Sequence, residues 1–233
     1  MGDIKKAISI ENIYLQQKMS GDSEFVLKEE IMKCGYNSLT DYFDEKKNHE
    51  MKQIDFVVEE VTPDNAAEEI IRLIKNKIDG ILLMNTDRTI VYHGSEPFNR
   101  EYCEEHNIPV VDYLTNGGTL VASDGELSIG ICIPENINIG MNWMLNGLKD
   151  ILSKYVDDVV VDNNDILVKG KKVCGSTEYR MNDRFAFIAQ FSFDDKLDLI
   201  YNICPPVSGK IPDYIKTMTR EQLRKEILEW LLG

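Results

Sequence analysis

Between Val159 and Phe193 four short apolar runs are separated by turns of Asp, Asn, Gly and Lys, a pattern that predicts an antiparallel meander. In the last run Phe185, Phe187, Ala189, Phe191 and Phe193 alternate onto one face, which predicts a core-facing stripe. Upstream, Ile54 to Val61 reads as a strand, and Thr62-Pro63 opens a helix whose apolar positions are Ala67, Ile70, Ile71, Ile74 and Ile78. Asp79-Gly80 ends it, and Ile81 to Met84 is a short buried strand. Thr89 to Tyr92 reads as its hairpin partner across Asn85 to Arg88. A helix near Phe98 to His106 and a strand from Ile108 to Tyr113 follow. Thr119 to Ala122 and Leu127 to Ile133 then read as a hairpin about Asp124-Gly125.

Helical periodicity returns with Met141, Met144, Leu145, Leu148, Ile151, Leu152 and Tyr155. Leu197 to Cys204 is a short helix stopped by Pro205-Pro206. Thr219 and Gln222 have the spacing of a capping box for a last helix burying Leu223, Ile227, Trp230 and Leu231. Near the start, Ser23 is placed to cap a helix bearing Leu27, Ile31 and Cys34. Strands and helices are mixed and antiparallel turns dominate. The expected class is α+β, with one mixed, mostly antiparallel sheet and flanking helices.

Composition narrows the partners. The 233 residues, 43% hydrophobic, suffice for one full core, and the expectation is a single domain over 1–233. A formal net charge of -14 is the wrong sign for a nucleic-acid groove. No apolar run reaches membrane-spanning length, and Met1 to Lys6 has no apolar leader core, so no membrane partner and a cytoplasmic location are expected. The five cysteines are odd in number and scattered, which argues against a disulfide framework.

The chemistry is read largely by elimination. There is no phosphate-binding P-loop, dinucleotide fingerprint, nucleophile elbow or His-Glu-x-x-His pair. Cys103 and His106 have half the spacing of a zinc site but no second pair of ligands, and three histidines give little support to a histidine relay. Three features remain. Lys172 begins a strand and is followed by the small residues Gly175 and Ser176. Gly117-Gly118 lies in a turn where backbone N–H groups can approach a ligand oxygen, although an ordinary tight turn has the same composition. Asn163-Asn164-Asp165 offers oxygen ligands, although a hairpin turn reads the same way.

Together these fit activation of a carboxylic acid by ATP. That reaction needs a cation where charge builds on the carboxylate and α-phosphate, backbone donors near the acyl group, and oxygen ligands for Mg²⁺. Lys172 would supply the first, Gly117-Gly118 the second, and Asn164 with Asp165 the third.

With those residues in view, the chain resembles the lipoate–protein ligase A family of the biotin/lipoate ligase superfamily. Asn164-Asp165-Ile166 is similar to that family's Asn-Asp-Leu. Gly170 to Thr177 (Gly-Lys-Lys-Val-Cys-Gly-Ser-Thr) resembles its Gly-Arg-Lys-Val-Ser-Gly-Ser-Ala, which puts the active-site lysine at Lys172. Thr115-Asn116-Gly117-Gly118-Thr119-Leu120 resembles its Ser-Gly-Gly-Gly-Ala-Val loop, and Gly125-Glu126-Leu127 its Gly-Asn-Leu. Phe25 to Ile31 is similar to the family's first helix. Residues 37–78 read as an insertion, and the expectation is a catalytic domain without the small C-terminal accessory domain of full ligases.

The resemblance implies lipoate as substrate, ATP and Mg²⁺ as cofactors, a lipoyl-acceptor protein as partner and, as in some members, an accessory subunit. It places the acyl and nucleotide groups between Thr115–Thr119 and the strand of Lys172, Gly175 and Ser176. Several family positions differ here. Tyr113 and Leu114 replace an Arg-Arg pair, Asn116 the first loop glycine, and Ala122-Ser123 a His-Asp. The family's His-Gly-Thr has no histidine counterpart near Ile188-Ala189. Two alternatives stay open on the same fold. One is a non-catalytic ligand-binding or regulatory homologue, and the other is an octanoyl- or lipoyltransferase using a cysteine such as Cys204.

Overall fold

A computed structural model describes residues 46–48, 50–84, 88–94, 97–112, 119–124, 126–135, 139–193, 197–204 and 213–233. Its contacts divide the chain into Met1–Met51 and Lys52–Gly233. In the first unit a Lys46–Glu50 pair one helical turn apart lies at 3.8 Å. The Ser23-capped helix and the Phe25 to Ile31 match fall outside the described residues. All that follows concerns Lys52–Gly233.

Seven strands form the main sheet in the order β1-β2-β6-β10-β9-β8-β7. These are β1 (Val57–Val61), β2 (Gly80–Met84), β6 (Glu126–Pro134), β7 (Val159–Asp162), β8 (Asp165–Val168), β9 (Lys171–Met181) and β10 (Arg184–Ser192). Only β1 and β2 run parallel, joined by helix α1 (Pro63–Lys75). The other neighbours are antiparallel, so the sheet is mixed and mostly antiparallel, as expected. The segment read as an insertion thus supplies the edge strand β1 and its crossover helix.

The meander forms as the turn residues direct. Its three hairpins close through two-residue loops, Asn163-Asn164, Lys169-Gly170 and Asn182-Asp183. Both residues of the second and third loops have positive φ, as does Asn163. Such loops match the twist of paired strands, and Asn, Asp and Gly tolerate the left-handed conformation they need.

Two pairings differ from the sequence reading. Strand β3 (Ile90–His93) does not pair with β2, and β5 (Leu120–Ala122) does not pair with β6. Instead β3 lies between β4 (Val110–Asp112) and β5 in a separate three-stranded sheet, with β4 reached through helix α2 (Arg100–Glu105). Strand β2 is buried on both faces, with β1 on one side and β6 on the other, which leaves no free edge for β3. Short apolar runs next to each other in sequence need not be neighbours in a sheet.

The two faces of the main sheet pack differently. On one, Leu82, Met84, Cys132, Ala186 and Ile188 meet Ala66, Ile70, Leu73 and Ile74 of α1. The helix lies so close to β2 that a Cβ at Gly80 would reach 2.7 Å from a Leu73 methyl. The other parity of β10 carries Phe185, Phe187 and Phe191, each no more than 1% exposed. Helices α3 (Met141–Leu152), α4 (Leu197–Ile203) and α5 (Arg220–Leu232) complete the unit. α3 packs near β7 and β8, and α5 near β6. Trp230 of α5 lies 5.1 Å from Trp143 of α3. The capping box at Thr219 and Gln222 forms with both of its arms.

Candidate functional site

A break in strand alternation sets the position of Lys172. Across β8 and β9 the partners run Asp165–Gly175, Ile166–Cys174, then Leu167–Lys172 and Val168–Lys171, so Val173 is an extra residue. In a regular strand Lys172 would share a face with Cys174. The bulge moves it onto the face of Gly175 and Asp165 instead, the re-aiming that bulges produce. The bulged carbonyl of Lys172 also accepts the N–H of Asp213 at 2.8 Å.

On that face the Lys172 ammonium meets Asp165 Oδ1 at 2.8 Å. The carboxylate side is 5% exposed and the lysine side 37%, so a buried anion holds a cation that still reaches solvent. Gly175 makes the arrangement possible. A Cβ there would lie 3.1 Å from Lys172 Nζ, 3.2 Å from Cε and 3.6 Å from Asp165 Oδ1. The lysine therefore extends across its own strand over the bare backbone of Gly175.

The adjoining turn is held by Ser176, whose N–H and hydroxyl both donate to the Asn164 carbonyl at 2.9 and 2.8 Å. The Asn164 amide returns a bond from Nδ2 to the Ser176 carbonyl at 3.0 Å. That bond leaves Asn164 Oδ1 as an oxygen donor beside Asp165. Among the described residues no group of three or more His, Cys, Asp or Glu side chains could hold a metal ion. The donor set suits an ion that takes one or two protein oxygens and draws other ligands from phosphates and water, as Mg²⁺ does.

Thus Lys172, Gly175, Asn164, Asp165 and Ser176 gather where β8 meets β9. Thr119 directly precedes β5, and its hydroxyl accepts the N–H of Gly94 at 3.3 Å. Thr115, Asn116, Gly117 and Gly118 lie outside the described residues, as do Tyr113 and Leu114. Lys171 pairs with Asp213 at 3.4 Å, and Lys216 meets the same carboxylate at 3.4 Å. Burial opposes ionisation of Asp213, but the Tyr214 N–H and the two lysines outweigh it and hold the carboxyl below its usual range.

Cys174 is fully buried, and loss of hydration pushes its thiol far above the ordinary range, so it is no nucleophile beside the lysine. Cys204 is partly buried against the apolar cluster of Val91, Cys103, Val121 and Ile203. His106 stacks on Tyr102 at 3.9 Å, and the half-zinc spacing gathers no further ligands among the described residues.

The same face carries polar residues that the pattern reading missed. Extending the Asp165–Gly175 row leads to Gln190 on β10 and Ser128 on β6. Glu126 and Ser192 are the next pair along. Glu126 is 4% exposed, Ser128 2% and Gln190 6%. Gln190 Nε2 donates to the Val121 carbonyl at 2.6 Å and to Glu126 Oε2, which also accepts the Ser123 N–H at 2.9 Å. Burial pushes the Glu126 carboxyl up to about 8, despite the Ser123 N–H and the Ser192 hydroxyl. The available signal was Gln190 itself, a polar residue within an otherwise apolar strand.

Comparisons with known proteins bear on the fold. A family model described as the lipoyl protein ligase A/B catalytic domain matches residues 65–225. P. falciparum LipL1, in complex with lipoate, is similar in structure at 15% identity and a TM-score of 0.61, over 75% of this chain and 61% of that one. A bi-partite lipoate protein ligase from Thermoplasma acidophilum, described with its E2 lipoyl domain, aligns at 14% identity and 0.63, over 76% and 81%. A lipoate-protein ligase A bound with ATP aligns at 12% identity and 0.61, over 76% and 83%. This chain therefore spans less than two thirds of the length of the P. falciparum protein. At these identities the likeness shows the fold. No curated protein matches the sequence.

Proposed function

The chain belongs to the lipoyl protein ligase A/B catalytic-domain family, and from that premise we propose that it activates lipoate, or a related acyl acid, with ATP in the cytoplasm. A carboxylate oxygen of the acid attacks the α-phosphorus, the bond to the β-phosphate breaks, and acyl-AMP and pyrophosphate result. An acceptor lysine amine then attacks the acyl carbon, AMP leaves with the bonding pair, and the amine loses a proton.

The observation that carries this reading is the Lys172 ammonium, fixed over Gly175 by a buried carboxylate at 2.8 Å yet open to solvent. Such a cation can neutralise the carboxylate and the α-phosphate as they approach, without reorganising at the moment of reaction. Asp165 positions it. Gly175 and Ser176 keep the strand bare and rigid, and the Thr115–Thr119 loop is proposed to supply backbone donors. Asn164 and Asp165 are the residues proposed to hold Mg²⁺, which when bound would offset phosphate charge.

The acceptor is proposed to be a lipoyl domain, as named for the archaeal relative, whose bi-partite character supports a requirement for an accessory subunit. Among the described residues no helix is long and apolar enough to cross a membrane.

The test is acid-dependent pyrophosphate release from the purified chain with lipoate, ATP and Mg²⁺. Lys172→Ala should lower it by about 100-fold or more, in line with removal of a preorganised charge donor. No release with lipoate, even with an accessory subunit and acceptor present, would leave this fold as a ligand-binding scaffold.

A further inference from the structure

The polar patch at Gln190 has a composition that fold maintenance does not account for. Gln190 Oε1, Ser128 Oγ and Ser123 Oγ are all buried, and none has a hydrogen-bond partner among the described residues. More than nine in ten buried polar groups are satisfied in native proteins, so three such oxygens in one neighbourhood call for a partner, and the Gln190 amide oxygen, which can only accept, calls for a donor. Gln190 and Ser128 lie in the row that begins with Asp165 and passes through Gly175, and Ser123 adjoins them through Glu126, whose Oε2 accepts both the Ser123 N–H and the Gln190 amide.

Adjacent strands are about 4.8 Å apart. An acid whose carboxylate meets Lys172 above Gly175 therefore comes within about 5–10 Å of Gln190 and Ser128, a span of about four to seven chain bonds. The two N–H donors of Gln190 are directed to Val121 and Glu126, so what it still offers is an acceptor oxygen. Ser128 and Ser123 each add a hydroxyl oxygen.

We propose that Gln190, with Ser128 and Ser123, reads a hydrogen-bond donor on the substrate's acyl chain, so that this protein prefers an acid bearing a hydroxyl or amide N–H about six bonds from its carboxylate over one with a bare hydrocarbon tail. A hydrocarbon of the same length would leave the three oxygens unpaired, and sites built to hydrogen-bond a group discriminate strongly against analogues that lack it.

This inference rests on the acid-activation reading for the identity of its ligand, but its test does not depend on turnover. The full chain is titrated by calorimetry, without ATP, with 6-acetamidohexanoate and with nonanoate, which are matched in chain length. Binding at least 10-fold tighter for the amide acid, with the preference lost in both Gln190→Leu and Ser128→Ala, supports the proposal. Equal or tighter binding of nonanoate, no binding of either acid, or an unchanged preference in both folded variants overturns it. A parallel titration with ATP separates the nucleotide as the source of the donor. If Gln190→Leu weakens ATP and leaves both acids unchanged, the proposal fails. Absence of pyrophosphate release with these acids would refute the activation chemistry and leave the binding result standing.

Discussion

Replacing Gly175 with alanine adds one methyl group at the point where the lysine crosses its strand. The added Cβ would stand 3.1 Å from Lys172 Nζ and 3.2 Å from Cε, inside ordinary contact distance. Its neighbour there is the far end of a flexible side chain, so the lysine yields by a few tenths of an ångström and the backbone stays in place. The fold should be nearly unaffected. Alanine costs less chain entropy than glycine in a strand, by about 0.5–1 kcal/mol, which offsets the local crowding. Catalysis should respond more. A misplacement of about 1 Å can cost about 100-fold, so a shift of roughly half that predicts about a 10-fold loss in lipoate-dependent pyrophosphate release, or about 1.4 kcal/mol of transition-state stabilisation. Thermal melting followed by circular dichroism should show Gly175→Ala within about 3 °C of the parent chain. Full activity in a variant of unchanged melting temperature would refute the idea that the lysine acts from its place above Gly175.

Two further perturbations test the packing. The raised Glu126 carboxyl binds its proton more tightly in the folded chain than in the unfolded one. Its contribution should be fully present below the ordinary carboxyl value of 4.5 and be lost as pH rises toward about 8. The slope should be at most about 1.4 kcal/mol per pH unit. Urea denaturation from pH 5 to 8.5 should show that decline, and Glu126→Gln should flatten it; an identical slope in the variant would be the contrary result. At Gly147 on α3 an added Cβ would collide with the Trp230 ring on α5. Gly147→Ala should therefore cost about 1–3 kcal/mol by overpacking, read as a drop in melting temperature of several degrees.

The contrast between Lys172 and Gln190 shows what one-dimensional pattern can carry. The meander is legible because its turns need residues that tolerate positive φ, and Asn163, Lys169-Gly170 and Asn182-Asp183 stand between clear apolar runs. The capping box at Thr219 is equally local. Lys172 is legible as a candidate, but its partner is not. Strict alternation groups it with Cys174, and only the extra residue Val173 brings it to Asp165. Gln190 is hidden for another reason. The phenylalanines define one buried face of β10, and alternation then assigns the opposite face to solvent, whereas Ala186, Ile188 and Gln190 are buried there as well. The β2–β3 and β5–β6 hairpins fail because sheet membership is settled by non-local partners that short apolar runs do not encode.

The proposed activity depends on where a carboxylic acid meets this chain. The most direct measurement is a crystal structure of the full chain soaked with lipoate and ATP. A carboxylate or α-phosphate oxygen is expected within hydrogen-bonding distance of Lys172 Nζ, on the Gly175 face of β9. An acid bound elsewhere, with Lys172 still paired only to Asp165, would contradict it.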